Sequence, residues 1–300
     1  MDCVFCRSIM IHTKGFPRLL KEHGLAGKTM NPTYRTIAIV GFATVLTGLS
    51  NTVYAQLSPT PRLIAAQPEK TQMSAVELYN RGVDKLEAKD YQGAIADFTQ
   101  SAQLNPNDAD TYYNRGYAQH ALGQYDKAIA DYTEAVRINP NFARAYSNRG
   151  YTNYLLKKYK EAIADCTKAI SLNRNNDIAY ISRGNAQDEL GNHQDALADY
   201  EQALIINPNN PMAYYNRGLV RNRTNQHQAA LEDYTETIRL RPTFAEAFYN
   251  RGLTRFNLKN SKAAIEDLQK AADLFKQQGR TENYQSALNA IKIIQQSADS

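Results

Sequence analysis

Glycine recurs at Gly82, Gly116, Gly150, Gly184, Gly218 and Gly252, every 34 residues, with no insertion or deletion between copies. No other feature constrains the fold as tightly. A fixed period of this size marks one supersecondary unit stacked on copies of itself, so the chain reads as a solenoid. Slots are numbered from Ala75, Ala109, Ala143, Asp177, Pro211 and Ala245, which places glycine at slot 8. Slot 20 is alanine in every copy, from Ala94 to Ala264. Slot 32 is Pro106, Pro140, Pro208 and Pro242, with Arg174 and Lys276 in the third and sixth copies.

Slots 1–14 and 17–30 are each long enough for a helix, and the only proline inside them is Pro211, at a first-turn position where proline is tolerated. The turn between them is marked by Gly123, Gly191, Asn225 or by lysine pairs. Proline at slot 32 cannot continue the second helix and separates it from the next repeat. Small residues at slots 8 and 20 let two backbones approach, and large residues at slots 4 and 24 fill the space beside them. One such helix pair cannot bury its own apolar face, so the copies must stack.

This pattern resembles the tetratricopeptide repeat. Slot 4 is Leu78, Tyr112, Tyr146, Tyr180, Tyr214 and Phe248, and slot 24 is Phe98, Tyr132, Cys166, Tyr200, Tyr234 and Leu268. The resemblance covers residues 75–278, as copies 75–108, 109–142, 143–176, 177–210, 211–244 and 245–278. It implies an all-α fold, a right-handed superhelical α-solenoid of helix-turn-helix repeats. Residues 279–300 follow, and Tyr284, Ala287, Leu288, Ile291 and Ile294 form a stripe at helical spacing over 281–296. That stripe predicts a capping helix; the alternative is a dimerisation helix.

The YNRG segment around each glycine sorts by letter. Arginine at slot 7 and aspartate at slot 23 occur in every copy, from Arg81 and Asp97 to Arg251 and Asp267, which predicts a ladder of ion pairs rather than arginines offered to an anionic ligand. Asparagine at slot 6 (Asn80, Asn114, Asn148, Asn216 and Asn250, with Ser182 in the fourth copy) is a mediocre helix former and has no evident structural task. In the resembled family slots 2, 5, 6, 9, 12 and 13 line a concave groove, and these asparagines are similar to a ladder that holds an extended peptide. A carboxamide both donates and accepts, so it can serve a peptide group in either orientation. The alternative is an Asn bonded to its neighbouring helices. Tyr113, Tyr215 and Tyr249 at slot 5 and Tyr117 and Tyr151 at slot 9 complete the candidate groove, with slot 9 the more exposed of the two. No copy has Lys at slot 5 and none has Arg at slot 6, which argues against the family's clamp for acidic chaperone tails.

The remaining residues carry little chemistry. Residues 1–55 hold six Lys/Arg against two Asp/Glu, so the rest of the chain is almost neutral at 29 against 28. No basic patch points to nucleic acid. No nucleophile elbow, phosphate loop or zinc motif occurs, which predicts a non-enzyme with no cofactor, no metal and no small-molecule substrate. Cys3 and Cys6 form a lone C-x-x-C without a second pair. His193 and His227 stand at slot 17, where other copies have Tyr91, Tyr125 and Tyr159, and read as packing substitutes. Cys166 reads as a small buried hydrophobe.

Ahead of the repeats, Ile37–Leu49 is an apolar run of 13 residues, too short for a membrane span of roughly 20 residues and suited to a secretory signal. With Met30–Arg35 before it and Val53-Tyr54-Ala55 after it, residues 30–55 read as a signal peptide cut after Ala55. Residues 1–29 read as an extension or as a start placed too early, and residues 56–74, with Pro59, Pro61 and Pro68, as a linker. The expectation is a non-catalytic scaffold that binds an unidentified protein or peptide in the concave groove of an exported chain, periplasmic or secreted. The alternatives are a self-associating envelope protein, the thylakoid lumen as destination, or membrane attachment through residues 37–49 if the signal stays uncut.

Overall fold

The structure is a computed structural model and describes residues 72–298. The residues read as an extension (1–29) and as a signal peptide (30–55), and most of those read as a linker (56–74), lie outside the described residues.

Thirteen α-helices, and no strand, occur among the described residues. Six first helices (A) are α1 (Ala75–Glu87), α3 (Ala109–Ala121), α5 (Ala143–Leu155), α7 (Asp177–Glu189), α9 (Pro211–Arg223) and α11 (Ala245–Asn257). Their partners (B) are α2 (Tyr91–Leu104), α4 (Tyr125–Ile138), α6 (Tyr159–Leu172), α8 (His193–Ile206), α10 (His227–Leu240) and α12 (Ser261–Gln277). Each A helix packs on the B helix of its own copy, and each B helix packs on the next A helix. Successive A helices touch, whereas successive B helices make no comparable contact. The A side is therefore the inner side of the curve.

The A–B turn has one form throughout. The slot-15 residue has positive φ in all six copies: Gly123 and Gly191, but also Lys89, Lys157, Asn225 and Lys259. The slot-16 N–H then bonds back to the slot-11 carbonyl, as from Asp90 to Lys85 at 2.8 Å and from Lys158 to Asn153 at 2.9 Å, which is a Schellman closure.

At the other end of the unit, helix B stops at slot 30 whether or not proline follows. In the third copy, with Arg174 at slot 32, α6 still ends at Leu172. The reason is slot 31, where the Asn173 side chain accepts from the Asn175 N–H at 3.0 Å. Asn105, Asn139 and Asn207 fold the same turn, giving the backbone an alternative to the helix. The sixth copy has Phe275 at slot 31, no such turn forms, and α12 runs on to Gln277.

Glycine at slot 8 is required by contact rather than by φ. A Cβ on Gly82, Gly116 or Gly218 would lie 2.7–2.9 Å from the ring of Phe98, Tyr132 or Tyr234, and one on Gly150 would lie 2.6 Å from Cys166 Sγ. The free Cys166 is fully buried, and that burial raises its thiol pKa far above the usual range.

The ends of the stack are told apart by slots 3 and 10. In copies two to six these are small or apolar and fully buried, as Thr111 and Ala118 or Ala213 and Val220. In the first copy they are Glu77 and Asp84, both exposed, so α1 offers no apolar stacking face. At the far end α13 (Thr281–Ala298) buries Ala287, Ala290, Ile291 and Ile294 with Leu274 and Phe275 of α12. Tyr284 and Leu288 pack beside them. The stripe read as a cap or a dimerisation face is occupied within the chain.

Candidate functional site

Each slot-7 arginine grips the slot-23 aspartate of its own copy with two nitrogens. Arg115 holds Asp131 at 2.7 Å through both Nε and Nη2, and Arg183 holds Asp199 at 2.9 and 2.7 Å. The remaining Nη1 of Arg115, Arg149, Arg183 and Arg251 reaches a threonine of the preceding copy at 3.0–3.3 Å. The guanidinium also lies over the slot-4 ring, at 5.3 Å for Arg115 on Tyr112 and 5.6 Å for Arg217 on Tyr214. Arg115, Arg149, Arg183 and Arg251 are thus engaged through all three nitrogens, whereas Arg81, whose Nη1 meets Met73 Sδ, stays 45% exposed. The pairs are not equally comfortable. Hydrogen bonding from Arg81 holds Asp97 below the usual carboxylate range. Burial raises Asp199 and Asp233 in spite of Arg183 and Arg217.

The slot-6 asparagines are bonded to a neighbouring helix, the alternative weighed from the sequence, through a partner residue that the slot pattern does not name. Asn114 Nδ2 donates to the Tyr79 hydroxyl at 3.0 Å, Asn148 to Tyr113 at 3.2 Å and Asn250 to Tyr215 at 2.9 Å. The acceptor is the slot-5 tyrosine of the preceding copy. Where slot 5 is Ile181, Asn216 turns to the slot-9 Asn185 at 2.8 Å, which also accepts from Tyr200. Where slot 5 is Ser147, the next slot 6 is Ser182, both are buried, and α5 and α7 pack more closely than any other successive A helices. Seen in the sequence as a pair across copies, the joint change at Ser147 and Ser182 was the available signal.

The pairing leaves three of these carboxamides half used. Among the described residues Asn114, Asn216 and Asn250 make no further side-chain hydrogen bond, whereas Asn148 also meets the Tyr132 side chain; all four are half-buried on the inner side. Asn80, with no copy before it, is exposed. The candidate tyrosines divide differently from expectation. Tyr113 and Tyr117 are half-buried. Tyr151, Tyr215 and Tyr249 are buried at 9%, 9% and 3% exposure. Slot 9 is thus not the more exposed position at Tyr151: the ring is enclosed by His120 at 5.6 Å and Tyr154 at 6.4 Å. Tyr215 is enclosed by Tyr234 and by Phe244 at 4.7 Å.

Slots 12 and 17 add residues that the reading of slots 5, 6 and 9 passed over. His120 lies 5.3 Å from Tyr125, and Tyr154 lies 6.1 Å from Tyr159. Thr152 Oγ1 donates to the Asn148 carbonyl at 2.6 Å, so it accepts from His120 Nδ1 at 2.9 Å. Burial lowers His120 to about 4, which keeps it neutral. In the fourth copy the same positions turn polar. His193 meets Asp188 at 2.9 Å, and Arg223 from the next copy meets it at 2.7 Å. His227 likewise meets Asn222 at 2.7 Å. Both histidines bond within their own copy at the slot-17 packing position. No cluster of three metal-binding side chains, and no helix long and apolar enough to cross a membrane, occurs among the described residues.

Known proteins place the fold. Family models described as tetratricopeptide repeat match residues 109–142, 143–176, 178–210, 199–232 and 223–279, and one described as TPR repeat matches 85–123. No curated protein matches the sequence. Among solved structures the chain is similar to YrrB, a TPR protein with an unusual peptide-binding site. The two are 27% identical over 65% of this chain and 97% of that one, with a TM-score of 0.53. It is similar to MamA at 25% identity over 55% and 96%, with a TM-score of 0.51. PilW, a type IV pilus biogenesis factor, shares the fold at 20% identity, 71% and 98% coverage and a TM-score of 0.64.

Proposed function

The chain belongs to the tetratricopeptide repeat family, and from that premise we propose that it is a non-catalytic scaffold holding an extended protein segment in its concave groove, in an exported compartment. Proteins of this fold serve protein–protein interaction, and the observation that carries the groove reading is the half-used carboxamide. Asn114, Asn148 and Asn250 are fixed by Tyr79, Tyr113 and Tyr215 of the preceding copies. They are therefore pre-positioned, yet Asn114 and Asn250 each keep an acceptor and a donor proton for a ligand, while Asn148 is also engaged by Tyr132. A fixed group loses little freedom on binding, so its hydrogen bonds contribute more to affinity. The peptide-binding site of YrrB supports the same reading by likeness. The exported compartment is supported by the signal pattern of residues 30–55.

The test uses the intact chain as bait and a variant in which Asn114, Asn148 and Asn216 are all alanine. The expected outcome is capture of a partner by the parent and loss of that capture by the variant, with both helical by circular dichroism. Equal capture by a folded variant removes the groove from the function. N-terminal sequencing of the mature protein tests the compartment: Gln56 at the start supports export with cleavage, and Met1 at the start refutes it.

A further inference from the structure

We infer that the groove of the first three repeats takes a proline-rich, extended segment carrying a basic residue, supplied by a partner protein; this rests on the scaffold reading above. The first observation is a stripe of rings. Tyr125, His120, Tyr151, Tyr154 and Tyr159 follow one another with centroids 5.3–6.4 Å apart, crossing from the second copy into the third. Tyr117 stands half-exposed on the inner side of the same copy as His120. The stripe stops at the fourth copy, where the equivalent positions are Asn185, Asp188 and His193. Tyr151 is buried and backs the stripe, and its neighbours Tyr117, Tyr125, Tyr154 and Tyr159 are half-exposed; such faces suit proline rings, which lie flat on them while the chain stays in the polyproline II form.

Hydrogen bonding agrees with that occupant. The Asn114–Tyr79 pair has three polar protons and uses one between its members. Two protons remain at that rung, whichever partner donates; at the next rung Asn148 is shared between Tyr113 and Tyr132. A proline-rich chain has carbonyl acceptors at every residue and few N–H groups of its own, so it can take up these donors without stranding any of its own.

Charge supplies the third observation. The stripe ends at Glu189, whose carboxylate accepts from Tyr159 at 3.4 Å. Asp188 beside it is already held by His193 and Arg223. Glu189 is half-buried; Arg223 and Lys157 act on its carboxylate from a distance, and neither makes a direct ion pair with it. A lysine or arginine on the ligand would meet it there.

The experiment is fluorescence anisotropy on the intact chain with a labelled peptide of four Pro-Pro-Ser triads followed by Arg. The same peptide with every Pro replaced by Ala, and one with the Arg replaced by Glu, are the controls. The expected result is binding of the first peptide about tenfold or more tighter than either control. Tyr117→Ala with Tyr154→Ala should weaken it about tenfold, while the corresponding Phe pair retains it. Glu189→Gln should erase the preference for Arg over Glu. Because Glu189 lies at the rim, that arm carries the test even where the alanine pair disturbs folding.

Equal affinity for the proline-free peptide overturns the inference and leaves the scaffold reading standing. Failure of the proline peptide to bind, while the captured partner still depends on Asn114, Asn148 and Asn216, does the same. Peptide binding that ignores both the tyrosine and the asparagine variants places the ligand elsewhere and overturns both readings. Tyr117-dependent binding of chitotetraose in place of the peptide would make the stripe a sugar platform and overturn the inference. So would a gain in affinity on removing residues 56–71, which contain Pro59, Pro61 and Arg62, because the chain would then be its own ligand.

Discussion

His120 shows how a residue in this array acquires a property that its neighbours in sequence do not give it. Its ring is packed between Tyr125 and Tyr151 and bonded to Thr152, and burial lowers it from 6.5 to about 4. Above pH 6.5 the ring is neutral folded or unfolded and contributes no pH dependence. As pH falls below 6.5 the unfolded chain takes a proton that the folded chain refuses, so stability drops, and the drop ends near pH 4. At pH 5 the loss is about 2 kcal/mol. His120→Asn cannot take that proton; Asn222 already occupies the same slot in the fifth copy. Urea melts should show the parent losing about 2 kcal/mol more than this variant between pH 7 and pH 5. Parallel pH dependence of the two would show that the ring is not shielded. The sequence could not announce this, because Tyr151 and Thr152, which complete the enclosure that Tyr125 begins, sit about one repeat away. The asparagines were obscured in the same way: Asn148 and Tyr113 are one residue off the 34-residue period, so reading down a column of slots never pairs them. Arg and Asp were legible because both recur in every copy and bond within it.

At the scale of the element, periodicity predicted the helices, and the structure agrees to within a residue at most ends: A helices end at slot 13, B helices at slot 30. The reason for the B ending was only half legible. Proline is a visible stop signal, whereas the Asn turn at slot 31 is the one shared by the third copy, which has no proline. The A–B turn has the opposite history. Gly123 and Gly191 mark it openly, but Lys89, Lys157 and Lys259 hold the same left-handed conformation, with φ of 61°, 59° and 63°. For a residue with a Cβ that conformation costs about 1–2 kcal/mol. Lys157 is exposed. Lys157→Gly should therefore raise stability by about 1 kcal/mol, after part of the gain is lost to the looser unfolded chain. Thermal melts of the single and the triple Lys89, Lys157, Lys259→Gly variants check this, and a fall in melting temperature in both would show that the lysines contribute contacts of their own.

For the whole molecule, stability is a sum over copies and the surfaces between them, so the ends decide how the stack fails. The first copy meets solvent with Glu77 and Asp84 where inner copies bury small residues, a difference visible in the sequence once the slots are aligned. The last copy instead carries Leu274 and Phe275 and needs a cover. That cover is α13, and its apolar stripe was legible from helical spacing alone. Ending the chain after Arg280 would uncover Phe275, now 2% exposed, and Leu274, now 6% exposed, and would forfeit Ile291 and Ile294. Each large side chain contributes about 1.5–3 kcal/mol when buried, so the local loss is about 5 kcal/mol or more. In a one-dimensional stack such a loss falls on the copy beside the cut and fades along the array. Hydrogen exchange on the truncated chain should show amides of α11 and α12 losing protection while those of α3 to α6 keep theirs. Equal loss along the whole array would mean that the copies unfold as one cooperative unit. Unchanged protection in α12 would mean that α13 covers nothing that matters. Because the rings at Tyr117, Tyr151 and Tyr154 belong to the second and third copies, the truncated chain should still bind the proline-rich peptide while its far end is unravelled.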